Sequence, residues 1–261
     1  MNRWRKKSIP TGRWVKILAL VSVLSGGWGA GPASADPAGK DELVVADFSQ
    51  AEAGTFPEGW KSVWAWNGKG PEVYTVVKEG ECSYLKADAD NSDVLVAKEF
   101  EYNVKVYPFL RWRWQAVELP AGADERKKET GDSGAAVYVV FPGRFRPENI
   151  KYVWSSSLPE GTTTESPYNS KTKIVVLRNR STPLGKWVSE EVNVYQDYKR
   201  LFGGEPEKVQ AIAVMSDSNN TESRAEAHYD DIRIGKQSTI EEKEPRGTRE
   251  DESRPDEQQA E

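Results

Sequence analysis

From Phe109 to Leu119 the chain reads FLRWRWQAVEL, and the strict alternation of apolar with polar residues from Leu110 to Ala116 constrains the fold more than any other stretch. Successive side chains on a strand face opposite sides, so Leu110, Trp112, Trp114 and Ala116 share one face while Arg111, Arg113 and Gln115 share the other. One face reads as core and the other carries cationic forks. The next apolar run, Ala135 to Phe141 (AAVYVVF), is apolar on both faces, which suits a strand deep inside a sheet. The charged loop between them, Asp124 to Asp132, reads as solvated.

Around this pair the sequence is a procession of short strands, expected near 43–48, 60–66, 73–77, 83–87, 93–100, 109–119, 135–141, 150–156, 173–178, 187–194, 209–216 and 225–234. Pro57-Glu58-Gly59, Gly68-Lys69-Gly70-Pro71, Pro142-Gly143 and Gly203-Gly204 punctuate the gaps. Only residues 194–202 have helical spacing, with Tyr195, Tyr198, Leu201 and Phe202 on one side and Gly203 as a stop. Many short strands without βαβ alternation point to an all-β, two-sheet antiparallel sandwich, jelly-roll-like, with one short helix. An immunoglobulin-type sandwich is the alternative, although its Cys and Trp spacing is missing. No fixed period supports a solenoid or propeller.

The two ends have their own composition. Residues 1–35 begin with Arg3, Arg5, Lys6, Lys7 and Arg13, continue into an apolar stretch broken by Gly26, Gly27 and Gly29, and reach Ala33-Ser34-Ala35 before Asp36. This reads as a secretory signal peptide, because the apolar part is short for a membrane span. The folded domain is expected over 41–235, and 236–261 reads as a disordered charged tail. The expectation is an exported, monomeric protein, periplasmic or extracellular, with no membrane insertion after signal cleavage. A net charge of −5 disfavours nucleic acid as a partner. The single cysteine, Cys82, rules out an internal disulfide and a thiolate zinc cluster, and reads as a small buried residue.

Three constellations carry chemistry. Sugar rings pack their C–H faces on aromatic rings and offer hydroxyls to planar polar side chains, so Trp64, Trp66, Tyr152 and Trp154 are candidate ligand contacts. The competing reading is that these rings fill the core, and Trp112 and Trp114 are assigned to it. Arg111, Arg113 and Arg178 lie on central strands and need carboxylate partners, with Glu190, Glu191 or Asp197 available, either as a structural network or as a ligand clamp. If Trp112 and Trp114 lie between the sheets, the Arg113 face becomes an outer groove that Tyr138, Tyr152, Trp154, Arg178 and Glu190 would join. The oxygen-rich run around Asp217 and Asn219, with Asp47 and Asp230, is a candidate structural calcium site or simply an Asx-rich turn. No catalytic residue is assigned. His228 is the only imidazole and reads as structural, and no Gly-x-Ser-x-Gly elbow occurs.

The succession YPFLRWRW, LPAGADERKKETGDSGAAVYVVF, YVWSS, SPYNS, IVVLRNRSTPLGKWVSEEVNVYQDYKRLFGGEP, IAVMSDSNNT and HYDDI resembles the bacterial exported family known as domain of unknown function 3047, over about Leu43 to Ile234. A weaker likeness, carried by Asp47, Phe48, Pro57, Gly59, Trp60, Asp230, Asp231 and Ile232, is to jelly-roll carbohydrate-binding modules. The first resemblance brings no activity with it, and the second implies only a fold. The function expected is an exported, non-catalytic binding module for a glycan or another polar cell-envelope ligand. The alternatives are a carbohydrate-active lyase or hydrolase using carboxylates with Arg or Tyr, and an envelope scaffold that binds another protein.

Overall fold

The computed structural model describes residues 40–63, 68–206 and 208–240. The signal-peptide reading, Trp64, Trp66 and the tail beyond Ile240 lie outside the described residues. Within them the chain forms two stacked sheets. The six-stranded sheet holds β3 (Tyr74–Glu79), β4 (Cys82–Asp90), β6 (Phe109–Glu118), β11 (Val188–Asn193) and β13 (Arg224–Gly235) in the order β11-β6-β13-β4-β3, with β1 (Glu42–Ala46) on β13. The seven-stranded sheet holds β2 (Trp60–Ser62), β5 (Leu95–Tyr102), β7 (Ala135–Phe141), β8 (Glu148–Trp154), β9 (Thr163–Ser166), β10 (Asn169–Arg178) and β12 (Val209–Met215) in the order β2-β5-β12-β7-β8-β10-β9. This is the expected all-β sandwich.

Alternation decides what lies between the sheets. Leu110, Trp112 and Trp114 of β6 point inward and meet Ile150, Tyr152 and Trp154 of β8, all essentially without solvent contact. Trp112 packs on Tyr152 and Trp114 on Trp154, each at 5.7 Å between ring centroids, and the two β6 indoles meet edge-on at 5.4 Å. Burying one such ring contributes on the order of 3 kcal/mol. Two tyrosines of the six-stranded sheet also reach across. Tyr229 donates to the carbonyl of Met215 at 2.9 Å and accepts from the amide of Ala136, while Tyr74 donates to the carbonyl of Val94 at 2.7 Å.

At one edge the sheets are joined by charge. Arg178 of β10 grips Glu190 of β11 with two bonds, at 2.7 and 3.0 Å, and the Trp114 indole donates to the same carboxylate at 3.0 Å. The expected helix is α2 (Val194–Phe202), capped by the Asn193 side chain, which accepts from the amide of Gln196 at 3.0 Å, and ended by Gly203 at φ 73.

Four features depart from the sequence reading. A second helix, α1 (Gly70–Val73), is a single turn started by Pro71. Strand β9 is a polar Thr-Thr-Glu-Ser segment with no apolar alternation, and β8 with β10 is a parallel pair, because the β9–β10 hairpin folds back so that β10 fills the gap beside β8. Cys82 is exposed rather than buried, since it opens β4 directly after the Gly80 turn. The tail is docked as far as Ile240: the Glu191 carboxylate receives the Thr239 amide at 2.9 Å, and Arg111 donates to the Gln237 carbonyl.

The edge clamp has a measurable consequence. Glu190→Ala leaves the Trp114 indole without an acceptor and the Arg178 guanidinium with only the Glu160 carboxylate at 4.0 Å. Because Arg178 keeps about a third of its side-chain exposure (32%), the loss should fall at the low end for a buried pair, roughly 2–3 kcal/mol. Urea denaturation checks it, and a midpoint unchanged from wild type would refute the clamp.

Candidate functional site

The outer face of the six-stranded sheet, where the two-residue period puts Arg111 and Arg113, is closed by its own ion pairs. Arg111 bonds Glu191 at 2.6 Å and Glu42 at 3.0 Å. Arg113 holds Asp230, one bond being 2.9 Å, and its guanidinium lies over the Trp187 ring at 4.8 Å. A bulge aims Asp230 at this partner: Asp230 pairs with Arg113 and Arg233 with Arg111, so β13 carries one extra residue, with Asp231 at φ 55. His228 stacks on Tyr84 at 4.6 Å and bonds Gln115 at 2.7 Å. Every cation named on this face has a carboxylate, which is the structural-network reading of the arginines.

A small cleft lies instead on the outer face of the seven-stranded sheet. Its floor is the outward-facing set of four strands: Leu95 of β5, Met215 of β12, Tyr138 of β7, and Asn149 and Lys151 of β8. Each β7 and β8 member is the alternate of a core residue, Tyr138 lying between Val137 and Val139 and Lys151 between Ile150 and Tyr152. Ile174 of β10 extends the floor.

The walls are connections. The β6–β7 loop brings Glu125 and Gly131, the β9–β10 turn brings Pro167 and Tyr168, the β12–β13 loop brings Asp217, Asn219 and Asn220, and the β4–β5 loop brings Asp93. Asp132 ties two of these loops together, accepting from the amide of Asn220 at 3.1 Å and from the amide and hydroxyl of Thr221 at 2.7 and 2.6 Å. Tyr168 and the Asn220 side chain both donate to the Lys128 carbonyl, the latter at 2.8 Å. Gly131 is required there, because a Cβ would lie 2.8 Å from the Lys127 carbonyl and 2.9 Å from the Tyr168 ring.

The cleft concentrates polar atoms that the protein does not satisfy. Of the eight buried side-chain polar atoms without a hydrogen-bond partner among the described residues, four belong to residues lining it: Glu125 Oε1, Asn149 Oδ1, Asp217 Oδ1 and Asn219 Oδ1. The Asn149 and Asn219 oxygens accept, and a carboxyl oxygen accepts when ionised and can donate when it carries a proton. Each such atom costs about 1–3 kcal/mol, so they mark a place where hydrogen-bond partners are missing. Their neighbours are well held: Ser155 donates to Glu125 Oε2 at 2.7 Å, Lys151 donates to Ser133 at 2.9 Å, and the Asn149 amide donates to Thr172 at 3.2 Å.

Burial raises the pKa of Glu125, and it pushes Asp217 well above the usual carboxylate range despite the nearby Lys151. Asp217 also shares a hydrogen bond with the Asp132 carboxyl, and two carboxyl groups can bond only through a proton.

The sequence candidates divide accordingly. Tyr138, Asp217 and Asn219 meet in the cleft. Tyr152 and Trp154 do not reach any ligand face: they are fully buried core residues, because their parity on β8 puts the larger apolar area inward. Arg178 and Glu190 form the edge clamp, and Arg111 and Arg113 belong to the opposite sheet. The proposed calcium set is not assembled. Asp47 accepts from its own Ser49 amide at 3.1 Å, Asp230 serves Arg113, and no group of three or more His, Cys, Asp or Glu side chains among the described residues is arranged to hold a metal ion. The charged β6–β7 loop is not solvated throughout either, since Asp124, Glu125 and Asp132 are buried. Asn149, Lys151, Glu125, Asp93 and Tyr168 were not legible as site residues. The available signal was Asn149 and Lys151, polar alternates inside an otherwise apolar strand.

Fold and site together define a β-sandwich protein with a polar-walled cleft on the outer face of its larger sheet. The chain belongs to the family described as protein of unknown function (DUF3047), whose model matches residues 58–233. No curated protein matches it. Among solved structures it is similar to CBM27-1 of Caldicellulosiruptor saccharolyticus in complex with mannohexaose, at 13% identity and TM-score 0.41 over 76% of this chain and 99% of that one. It is likewise similar to the endoglucanase cel12A of Rhodothermus marinus, at 13% identity and TM-score 0.40 over 75% and 98%, and to the K2 cleaved adhesin domain of Lys-gingipain, at 12% identity and TM-score 0.39 over 74% and 97%.

The raised carboxyls give a pH signature. The folded protein keeps a proton on Asp217 that the unfolded chain gives up above about pH 4, so stability falls as pH rises from there toward the folded pKa. Asp217→Asn removes that dependence while keeping a donor for Asp132. The variant should gain a few degrees in melting temperature relative to wild type on going from pH 4 to pH 8. A difference constant across that range would contradict it.

Proposed function

We propose that this protein is an exported, non-catalytic binding module whose ligand is a glycan, held in the cleft of the seven-stranded sheet. The observation that carries this is the convergence on one cleft of four buried side-chain oxygens, of Glu125, Asn149, Asp217 and Asn219, that have no partner among the described residues. A glycan supplies a hydroxyl donor at almost every carbon, and the Tyr138 and Tyr168 rings with Leu95, Ile174 and Met215 offer the apolar surface that sugar C–H faces pack on. The basic start, the apolar segment and Ala33-Ser34-Ala35 support export.

A second reading, a glycan-cleaving enzyme, is favoured by one observation. Asp217, its pKa raised by burial and hydrogen-bonded to Asp132, is suited to protonate a leaving group. Release of reducing ends from an oligosaccharide pool, abolished by Asp217→Asn, would establish that reading and displace the first.

Isothermal titration against a panel of cell-envelope and plant oligosaccharides tests the binding module. At least one class should bind, and Asn219→Ala should weaken it about tenfold or more, about the 1.4 kcal/mol expected of one hydrogen bond to a ligand, with the melting temperature unmoved. No heat with any member of the panel would refute the proposal.

A further inference from the structure

The connection between β7 and β8 reads Pro142-Gly143-Arg144-Phe145-Arg146-Pro147 and lies at one end of the seven-stranded sheet. Its base is fixed: Phe141 and Pro147 are buried, and Gly143 is required because a Cβ there would run into the Arg146 carbonyl. Between them Arg144, Phe145 and Arg146 are all exposed, and Phe145, at 81%, is the most exposed large apolar side chain among the described residues.

Single exposed apolar residues are ordinary, but the two arginines set this one apart. Of the ten arginines among the described residues, seven hold a carboxylate and Arg180 bonds the Ser156 carbonyl. Arg144 and Arg146 do neither, and the Arg144 guanidinium lies instead over the Phe145 ring at 5.1 Å. The carboxylate nearest in sequence, Glu148, is taken by Lys171 at 2.7 Å and by the Tyr198 hydroxyl at 2.6 Å. The tip presents one apolar ring between two cations that the protein leaves unpaired.

We propose that this tip is a membrane-surface anchor, which sets Phe145 into the headgroup region of an anionic phospholipid layer while Arg144 and Arg146 hold lipid phosphates. Guanidinium forks bind phosphate oxygens in pairs, an anionic leaflet attracts cations near its surface, and an aromatic ring gains by leaving water for the acyl boundary. A protein partner fits the tip less well. An interface of ordinary size covers about 800 Å² on each side, whereas one ring offers about 200 Å². Other exposed apolar side chains, such as Val44, Val117 and Trp187, belong to the opposite sheet and its connections, so no wider apolar patch surrounds the ring. A lipid surface needs no matching pocket. With one ring and two charges the association is weak and reversible, and it is peripheral, since no helix among the described residues is long and apolar enough to cross a membrane.

The test is co-sedimentation of the protein, purified from its own host, with vesicles of phosphatidylglycerol and phosphatidylcholine in equal parts and with vesicles of phosphatidylcholine alone. The anionic vesicles should bind about tenfold more tightly or better, and 0.5 M salt should remove most of the difference. Phe145→Ser should weaken binding to the anionic vesicles about fivefold or more, and Arg144→Gln combined with Arg146→Gln about tenfold or more, with melting temperatures unmoved. No binding to the anionic vesicles would overturn the inference, as would binding that neither variant weakens. Displacement from the vesicles by an equal concentration of glycerol phosphate, which would mark a site for free phosphate, would overturn it too. So would a photocrosslinker at position 145 that captures a host protein in place of lipid.

Discussion

The packing of Trp112 and Trp114 against Tyr152 and Trp154 is the constraint from which the rest of the architecture follows. Once these four rings lie between the sheets, the period of two leaves no freedom about their strand neighbours. Arg111 and Arg113 must face out from one sheet, and Asn149 and Lys151 from the other. A slip of one residue in β8 would push a lysine into the aromatic core and a tryptophan into solvent, so the same packing that stabilises the sandwich fixes what each outer surface can present.

The two outer faces differ in how far their buried carboxyls are paired. On the six-stranded sheet, Arg111, Arg113 and Arg233 are matched to Glu42, Glu191, Asp230 and Asp231, with Trp187 across Arg113 and the segment reaching Ile240 across Glu191. Glu191 is accordingly held down to about 2, because the donors of Ser238, Thr239 and Arg111 outweigh its burial. On the seven-stranded sheet burial wins at Asp217 and Glu125, as it also does at Asp230 on the arginine face in spite of Arg113. The first face is closed largely by arginine–carboxylate pairs; the second gathers four of the buried polar atoms that have no partner among the described residues, each at a cost in stability.

Much of the fold could be read from the chain because alternation in β6, β7 and β8 and the turn residues between strands are local signals. β9 escaped because Thr163, Thr164, Glu165 and Ser166 are polar throughout and pair at a sheet edge where no apolar face is needed, Glu165 adding an ion pair to Lys173. The site was less legible for a reason of geometry rather than composition. Parity says that Tyr152 and Trp154 share a side, and it does not say which side meets the partner sheet; the larger apolar area settled that, and carried both into the core. Lys151 is a polar alternate within an apolar strand, and it lies on the cleft floor. Glu125 and Asp132 lie in a loop whose charge density reads as solvation, and only the folding of that loop over β8 buries them.

The central claim is that the cleft of the seven-stranded sheet, and not the arginine face of the other, is the ligand surface. Backbone amide chemical shifts of the isotopically labelled protein, followed during titration with an oligosaccharide that binds in the calorimetric panel, test it most directly. The account requires the shifts that move to be those of Tyr138, Asn149, Lys151 and 217–220, with Arg111, Arg113 and Trp187 still. Shifts confined to the Arg113 and Trp187 face would contradict it.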